Sequence, residues 1–307
     1  MSRHFTLPVV PALAVVATMA LAVAGCAAPD DGTSKAGSEA SSSVSTIPKD
    51  AAIAAMLPAD IKKSGVIRVA SGVSFPPMEY FDNDGKTVVG FDADLGKALG
   101  EVLGVKFTFQ NTNFDGIIGG LKAGRYDLGL TSMIDKKERQ ADVDFIEYLS
   151  SGVTFMTTEA NPKNLTTKLD LCGKTVAVEK SATGDIVADD VTGECKAGGK
   201  AGLKKLPFPD QASAVQALKS DRADAVLALD LTLAYNVKQD PSSFVIPSKP
   251  FGLLPVGIPV PKKAPELRDA VRAALLKVQK SGAYDQMLAK WKLTDQALTG
   301  APLNQGK

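Results

Sequence analysis

Histidine is almost absent from this sequence. The 307 residues include one, His4, within the first 25 residues, a segment that we expect to be removed. Without histidine, the rest of the chain has no Ser-His-Asp or Cys-His nucleophilic site and no zinc site with a histidine ligand. These classes of enzyme and metal site are therefore excluded.

Clustered positive charge is also missing. The sequence has 35 Lys and Arg against 34 Asp and Glu, for a formal net charge of +1, and no run of basic residues. Binding to nucleic acid needs a clustered basic surface, so we exclude it. The 45% of hydrophobic residues and 22% of charged residues are typical of a soluble globular protein.

A long uncharged apolar run occurs only near the start of the sequence, over Phe5–Gly25. Such a run after a basic start is typical of a secretory signal peptide. The small residues before Cys26 resemble the lipobox of bacterial lipoproteins, in which the Cys becomes the lipidated N-terminus. A short transmembrane anchor is the alternative, although Pro8 and Pro11 interrupt the run and it is short for a span. We expect removal of residues 1–25 and a protein outside the cytoplasmic membrane, anchored by lipid at Cys26.

Two cysteines remain after Cys26, namely Cys172 and Cys195. A pair in an oxidising compartment suggests a disulfide. Two free thiols, or a metal site built on two cysteines, are the alternatives.

The rest of the sequence divides into a polar start and a globular body. Residues Ala27–Lys49 have no aromatic residue and almost no large apolar one, so they cannot bury enough surface to fold. We predict a lipidated Cys and flexible tether over residues 26–57. Beyond it, strand patterns alternate with amphipathic helix patterns, which predicts an α/β fold with largely parallel sheets.

The second half of the body repeats the plan of the first. The segment Leu121–Asp127 has an echo in Leu218–Asp224, with Leu, Lys, Arg and Asp at the same spacing. In both segments a helix pattern ends, a turn follows and an apolar strand begins. We therefore predict two similar α/β lobes, with the helices around Leu275 and Tyr284 returning to cover the first lobe.

The segment that follows Tyr126 combines features of an anion site. Thr131 and Ser132 supply hydroxyls at the end of a strand, and Asp135 with Glu138 has the spacing of a capping box that opens a short helix. Arg139 falls in the first turn of that helix. A helix N-terminus and an Arg fork suit a planar carboxylate, and the carboxyl end of a parallel strand is where open α/β sheets bind ligands. The alternative is a surface Arg139 paired with a neighbouring acid.

Several ordered motifs give the sequence a family resemblance. They lie between about residues 60 and 293 and read GVSFPPMEYFDNDGKTVVGFDADLGKALG, NFDGIIGGLKAGRYDLGL, LCGKTVAV, SDRADAVL and SGAYDQMLAKWKL. The sequence resembles family 3 of the bacterial extracellular solute-binding proteins, the amino-acid receptors of ABC importers. The resemblance implies the type II periplasmic-binding fold, in which two lobes joined by two crossovers enclose the ligand.

The resemblance also implies the bounds of the lobes. We expect lobe 1 to comprise residues 58–153 and 251–294, lobe 2 to comprise residues 154–250, and residues 295–307 to form a C-terminal tail.

Family members bind the ligand with residues that can be transferred by position. By resemblance, Arg139 binds the α-carboxylate with help from Thr131 and Ser132, and Thr183 meets it from the second lobe. Phe75 and Phe114 clamp the ligand side chain, in an apolar pocket that includes Met133. The alternatives are plain core residues for the two aromatics and a turn or cap residue for Thr183.

One position departs from the family pattern. The Asp that usually holds the α-ammonium is Leu229 here, and Asp230 comes one residue later. A shift of one residue turns a side chain to the opposite face of a strand. Asp230 therefore reaches the ammonium only if a local turn re-aims it, and the alternative is a solvated Asp beyond the end of the strand. If Leu229 faces the crevice, a simple carboxylic acid without an ammonium becomes a candidate ligand. Glu79 is a second possible partner for a cation, or else an exposed acid in a strand.

We therefore expect a receptor that captures a small carboxylate-bearing solute, most readily an amino acid, when its lobes close. Its partners are an ABC permease with its ATPase, and we expect a monomer with no cofactor, no metal and no catalysis. A cyclohexadienyl-dehydratase-like enzyme on the same fold and a ligand-sensing receptor ectodomain are the alternatives.

Overall fold

The computed structural model describes residues 47–307. Within this range no helix is long and apolar enough to cross a membrane. The predicted signal peptide and lipidated Cys26 lie outside the described residues. The helices are α1 (Ala51–Ala55), α2 (Ala59–Ser64), α3 (Phe91–Leu103), α4 (Ile117–Lys122), α5 (Thr183–Ala197), α6 (Gln211–Lys219), α7 (Asp230–Gln239), α8 (Pro265–Lys280) and α9 (Ala283–Trp291).

The strands form three sheets. They are β1 (Val66–Ser71), β2 (Tyr80–Phe81), β3 (Val88–Val89), β4 (Lys106–Asn111), β5 (Leu128–Gly129), β6 (Met133–Ile134), β7 (Val143–Thr158), β8 (Thr175–Glu179), β9 (Lys204–Phe208), β10 (Ala225–Leu229), β11 (Phe244–Val245) and β12 (Phe251–Pro261). A parallel sheet has the order β4-β1-β5, a larger sheet has the order β6-β12-β7-β10-β8-β9 with β11 beside β7, and β2 pairs with β3.

Two long antiparallel strands, β7 and β12, connect the lobes. The first part of β7 pairs with the last part of β12, and its later residues Val153–Met156 pair with β10 of the second lobe. In the second lobe β10, β8 and β9 run parallel to one another. The expected α/β architecture with two crossovers is confirmed.

The repeated Leu-Lys-x-x-Arg-x-Asp pattern performs the same task in each lobe. The carboxylate of Asp127 accepts a hydrogen bond of 2.7 Å from the backbone N–H of Arg68 at β1, and that of Asp224 accepts one of 2.9 Å from Thr175 at β8. Each Asp also donates its own N–H to the carbonyl of the same partner. The aspartate therefore fixes a helix-to-strand turn against the neighbouring parallel strand.

The apolar faces expected for the helices are buried. On α3, Leu95, Leu99 and Val102 are fully buried. Both α8 and α9 pack against α3, and Tyr284 of α9 donates a hydrogen bond of 2.5 Å to the carbonyl of Tyr148 in β7. The two last helices therefore cover the first lobe, as the sequence predicts.

Two of the expected bounds need correction. The flexible tether does not extend to residue 57, because Ile47 and Leu57 are buried in the main core and α1 lies between them. Residues 295–307, expected as a C-terminal tail, are packed against the first lobe. A 3₁₀ turn covers Thr294–Gln296, and the chain that follows packs along β7 with Ala301 fully buried.

A disulfide joins Cys172 to Cys195, as expected. Cys195 lies near the end of α5, and Cys172 follows a 3₁₀ turn at Lys168–Leu171, with a Cα–Cα distance of 5.7 Å. The bridge fixes the outer end of α5 to the segment that leads into β8.

Reduction of this disulfide should destabilise the protein. The two cysteines are 23 residues apart, and in the loop-entropy model a loop of this size contributes about 3 kcal/mol. Urea unfolding with and without reductant measures the difference. The Cys172→Ser/Cys195→Ser variant is the control, and an effect of reductant on that variant would show that the loss has another cause.

Candidate functional site

A crevice lies where strands of both lobes end. Its walls come from the carboxyl ends of β1 and β5 in the first lobe and of β8 and β10 in the second, the usual position of a ligand site in an open α/β sheet. It contains about 390 Å³ of empty space, its mouth included. The lining residues are Gly72, Phe75, Glu79, Phe114, Thr131, Ser132, Glu179, Ala182, Thr183, Gly184, Gln211, Leu227, Ala228 and Leu229.

Arg139 is not one of the lining residues; it lies against Phe114, which lines the crevice, and is almost completely buried. Its guanidinium donates hydrogen bonds of 2.7 Å to the carbonyls of Ile134 and Ser181, and its Cζ lies 5.4 Å from the ring centroid of Phe114. Burial lowers the pKa of Arg139 to about 10, so it remains charged at neutral pH. Among residues 47–307, no carboxylate lies within ion-pair distance of it, which contradicts the surface-pair alternative.

The expected capping box is wrong. Residues Arg139–Ala141 form only a 3₁₀ turn, with no side-chain cap. The Asp135 carboxylate instead accepts hydrogen bonds from Gln140 Nε2 and from the backbone of Gly306. Arg139 is therefore positioned by a short loop and not by a helix N-terminus.

Thr131 and Ser132 line the crevice, but internal acids engage their hydroxyls. Thr131 Oγ1 donates to Glu79 Oε1 over 2.9 Å, and Ser132 donates from its N–H and its hydroxyl to Asp92 Oδ2 over 2.9 and 3.2 Å. Ser132 has a φ of 48°, in the left-handed region. Their role towards a ligand stays a prediction.

Glu79 and Asp92 form a buried acid pair behind those hydroxyls. Glu79 is buried, not exposed. Burial and the adjacent Asp92 raise the pKa of Glu79 well above its usual value, whereas burial raises that of Asp92 to about 6. Tyr148 donates to the other Asp92 oxygen over 2.7 Å. Burial and the closeness of the two carboxyl groups therefore favour a proton within this pair, and Glu79 takes it up more readily than Asp92.

Thr183 is the first residue of α5, and its side chain is buried against the crevice. The first turn of α5 lies against β10, because a Cβ at Gly184 would come 1.9 Å from the carbonyl of Leu227. The unpaired N–H groups and dipole of a helix N-terminus favour an anion. The position of Thr183 is therefore compatible with its expected contact to a carboxylate.

The two predicted aromatic residues line the crevice, whereas Met133 does not. Phe75 and Phe114 line the crevice. Met133 does not belong to the lining and packs in a core cluster with Phe114, Val143 and Phe145. Met133 is therefore placed behind the crevice wall.

Asp230 is not brought together with the other expected residues. It is the first residue of α7, and its Oδ1 accepts a hydrogen bond of 2.7 Å from the hydroxyl of Ser151. It lines a separate cavity together with Thr154 and Trp291. Leu229 lines the crevice instead. The local turn needed to re-aim Asp230 into the crevice does not occur.

Two lining residues were missed by sequence reasoning. Glu179 is the last residue of β8, and no hydrogen-bond donor or cation among the described residues contacts its carboxyl. Burial first, and then the nearby Asp210 and Asp115, raise its pKa to about 8. Gln211 of α6 is buried, with Nε2 lacking an acceptor within the described part of the chain. Glu179 could have been found, because it is an acid at the end of a largely apolar parallel strand. The sequence around Gln211 carries no such signal.

No cluster of three or more His, Cys, Asp or Glu side chains suited to a metal ion occurs in residues 47–307.

The buried Glu179 should make stability depend on pH. Its folded pKa of about 8 exceeds the ordinary 4.5, so the folded state holds the proton more tightly. That stabilisation is complete below the ordinary pKa and is lost as the pH rises to the folded one. Glu179→Gln should therefore flatten the fall in unfolding free energy between about pH 5 and 8, by at most about 1.4 kcal/mol per pH unit.

Urea unfolding at several pH values measures this slope. The matched control is Glu159→Gln, at an exposed position, which should keep the slope of the unchanged protein. Parallel profiles for Glu179→Gln and the unchanged protein would contradict the assignment.

The family model for bacterial extracellular solute-binding proteins, family 3, matches residues 67–294. The chain belongs to this family, as the motifs predicted.

The chain is also similar to individual proteins. The arginine-binding protein ArgT of Corynebacterium glutamicum is 30% identical over 82% of this chain and 83% of that protein. An ancestral arginine-binding protein bound to arginine is 34% identical, with a TM-score of 0.69 over 74% of this chain and 98% of that chain. The ancestral amino acid-binding protein AncCDT-1, a precursor of cyclohexadienyl dehydratase, is 32% identical, with a TM-score of 0.68 over 76% and 97%. The expected two-lobed fold is confirmed.

Proposed function

We propose that this protein is the extracytoplasmic receptor of an ABC importer, anchored by lipid at Cys26, which captures an amino acid by closure of its lobes and delivers it to a permease. The observation that carries the proposal is a buried Arg139 guanidinium, without a counter-ion in the described chain, beside a crevice between two lobes. A buried charge is costly unless it is paired. The carboxylate of a ligand would supply that pair.

The carboxylate end of the ligand is assigned to Arg139 and Thr183. A planar carboxylate can accept both donors of an Arg fork, and the N-terminus of α5 adds a favourable dipole from the second lobe. Both lobes then contact the same ligand group.

The opposite end of the ligand is assigned to Glu179 and Gln211. Neither Glu138 nor Asp135, the acids that act on Arg139, lines the crevice, whereas Glu179 lines it without a partner. A cationic group beside Glu179 would lower its pKa and expel its proton. We therefore propose a cationic amino acid as the ligand class, and the arginine-binding names of two relatives support arginine as the first probe.

Closure of the lobes couples these contacts. Arg139 of the first lobe donates to Ser181 of the second, Lys180 lies 2.8 Å from Asp115, and Thr232 donates to the carbonyl of Pro76 over 2.8 Å. A ligand held by both lobes shifts the population towards this closed form because the open form lacks one set of contacts. Exclusion of water strengthens the ion pair with Arg139. The permease would then recognise the closed form.

Arg139→Lys should weaken binding of L-arginine about 10- to 100-fold, since lysine keeps the charge but cannot present the fork, and a hydrogen bond to a charged group contributes about 1.5–3 kcal/mol. Isothermal titration calorimetry measures the affinity. The exposed Arg125→Lys is the matched control and should bind normally. Equal affinity of the two variants would refute the assignment of Arg139.

The assignment of Glu179 predicts a preference for positive charge. Unchanged protein should bind L-arginine at least about tenfold more tightly than L-citrulline, its neutral isostere, and Glu179→Gln should remove most of that difference. Arginine binding at neutral pH should also release a proton, detected by titration in buffers of different ionisation enthalpy. Glu159→Gln is the control.

A thermal-shift screen of amino acids and organic acids tests the proposed class of ligand, a cationic amino acid. Stabilisation only by acidic or neutral solutes would overturn that proposal.

An enzyme is the second candidate. It is favoured by the similarity to AncCDT-1 and by Glu179, a buried acid that is protonated at neutral pH and therefore suited to general-acid catalysis. Incubation with prephenate or arogenate decides between the two. Aromatic product would favour the enzyme, and saturable stoichiometric binding of arginine without turnover would favour the receptor.

A further inference from the structure

Residues 297–307, which we name the strap, run along the edge of β7. Ala297 bridges to Leu149 and Leu303 to Ile146. The carbonyl of Pro302 accepts a hydrogen bond of 3.0 Å from the backbone N–H of Glu147. The strap is therefore an ordered addition to the first lobe.

The end of the strap contacts the loop that carries Arg139. The N–H of Gly306 donates to Asp135 Oδ2 over 2.9 Å. Gln140 Nε2 donates to Asp135 Oδ1 over 2.8 Å and to the carbonyl of Gly306 over 3.1 Å. A Cβ at Gly306 would lie 2.1 Å from the carbonyl oxygen of Asp135. This contact therefore requires glycine.

These contacts flank the anchor of the guanidinium. Ile134, whose carbonyl accepts from Arg139, precedes Asp135, and Gln140 follows Arg139 directly. The N–H of Asp135 donates to Pro255 of β12 over 2.8 Å. The loop is thus held to the sheet on one side and to the strap on the other.

A second buried acid pair lies under the strap. The N–H of Gln305 donates to Glu147 Oε1 over 2.6 Å. Burial, followed by the adjacent Asp135, raises the pKa of Glu147 to about 7. The strap therefore supplies backbone donors to two carboxyl groups that would otherwise be buried without them.

We propose that the strap is a positioning element for ligand binding, which holds Arg139 in the geometry that receives the carboxylate by clamping Asp135 and Gln140 with Gly306. The effect on affinity rests on the proposed function, whereas the hold on the loop does not. The residues of the strap do not touch the ligand and act through Arg139.

The test uses two variants and one matched control. Gly306→Ala introduces the clash with Asp135, and Gln140→Met keeps the side-chain length but removes both hydrogen bonds. The control is Gly193→Ala, at a position of ordinary φ where an added Cβ meets nothing within 4 Å. Arginine affinity is measured by calorimetry, and hydrogen exchange is followed at the amides of Arg139, Gln140 and Asp142.

Both variants should weaken arginine binding about tenfold or more and accelerate exchange at those three amides, and Gly193→Ala should change neither. In the Arg139→Lys background, Gly306→Ala should add little further loss, because both changes act on the same contact. If Gly306→Ala does not fold, Gln140→Met carries the test.

A merely structural strap would lower the unfolding free energy without changing affinity or loop exchange. That result would overturn the proposal, as would a change in affinity without a change in exchange, or the reverse. If the unchanged protein does not bind arginine, the proposed ligand fails, and the exchange data alone then decide whether the strap holds the loop.

Discussion

A buried positive charge that forms no direct ion pair within residues 47–307 governs this structure. In that part of the chain Arg139 donates to two backbone carbonyls and lies over the face of Phe114, and one of those carbonyls, that of Ser181, belongs to the second lobe. Approach of the lobes therefore removes water from the guanidinium at the same time as it adds contacts. An anion in the crevice would offset the cost of that desolvation, so under the proposed function ligand binding and closure depend on the same charge.

The buried acids of the crevice differ from Arg139, because they can avoid the cost of a buried charge by taking up a proton. Burial raises the pKa of Glu79 and of Glu179, which favours the neutral form of each. Arg139 has no comparable route, since its lowered pKa of about 10 still exceeds neutral pH. The crevice without ligand therefore combines a guanidinium that stays charged at neutral pH with acids whose ionisation a nearby cation would favour. Under the proposed function, Arg139 anchors the carboxylate of the ligand and the acids select its cationic end.

Features that belong to a short sequence motif could be predicted, whereas features that depend on a contact with a distant part of the chain could not. Arg139, the two aromatics and the Asp127 and Asp224 turns were predicted because each belongs to a short motif that is visible in the sequence, even though Asp127 and Asp224 bind partners 59 and 49 residues away. The capping box failed because Asp135 is engaged by Gly306, 171 residues away, and the strap went unrecognised for the same reason. The position of Asp230 depends on where β10 ends and α7 begins, and a boundary of one residue decides it. Glu179 carried a signal in its place at the end of an apolar strand.

The proposed cationic solute is compatible with the charges of the crevice. Without ligand, the acids that act on Arg139 are Glu138 and Asp135, which do not line the crevice, while burial raises the pKa of Glu179 to about 8 and favours its protonated form. A solute of net charge +1 leaves the net charge unchanged if Glu179 releases its proton. A neutral amino acid preserves it only if Glu179 remains protonated and its carboxyl receives no cation. Leu229 also lines the crevice, and a fixed negative charge at that position would disturb the balance. Under the proposed function, the exchange of one proton for one cationic group would leave the net charge of the crevice unchanged, which limits the cost of burying a charged ligand.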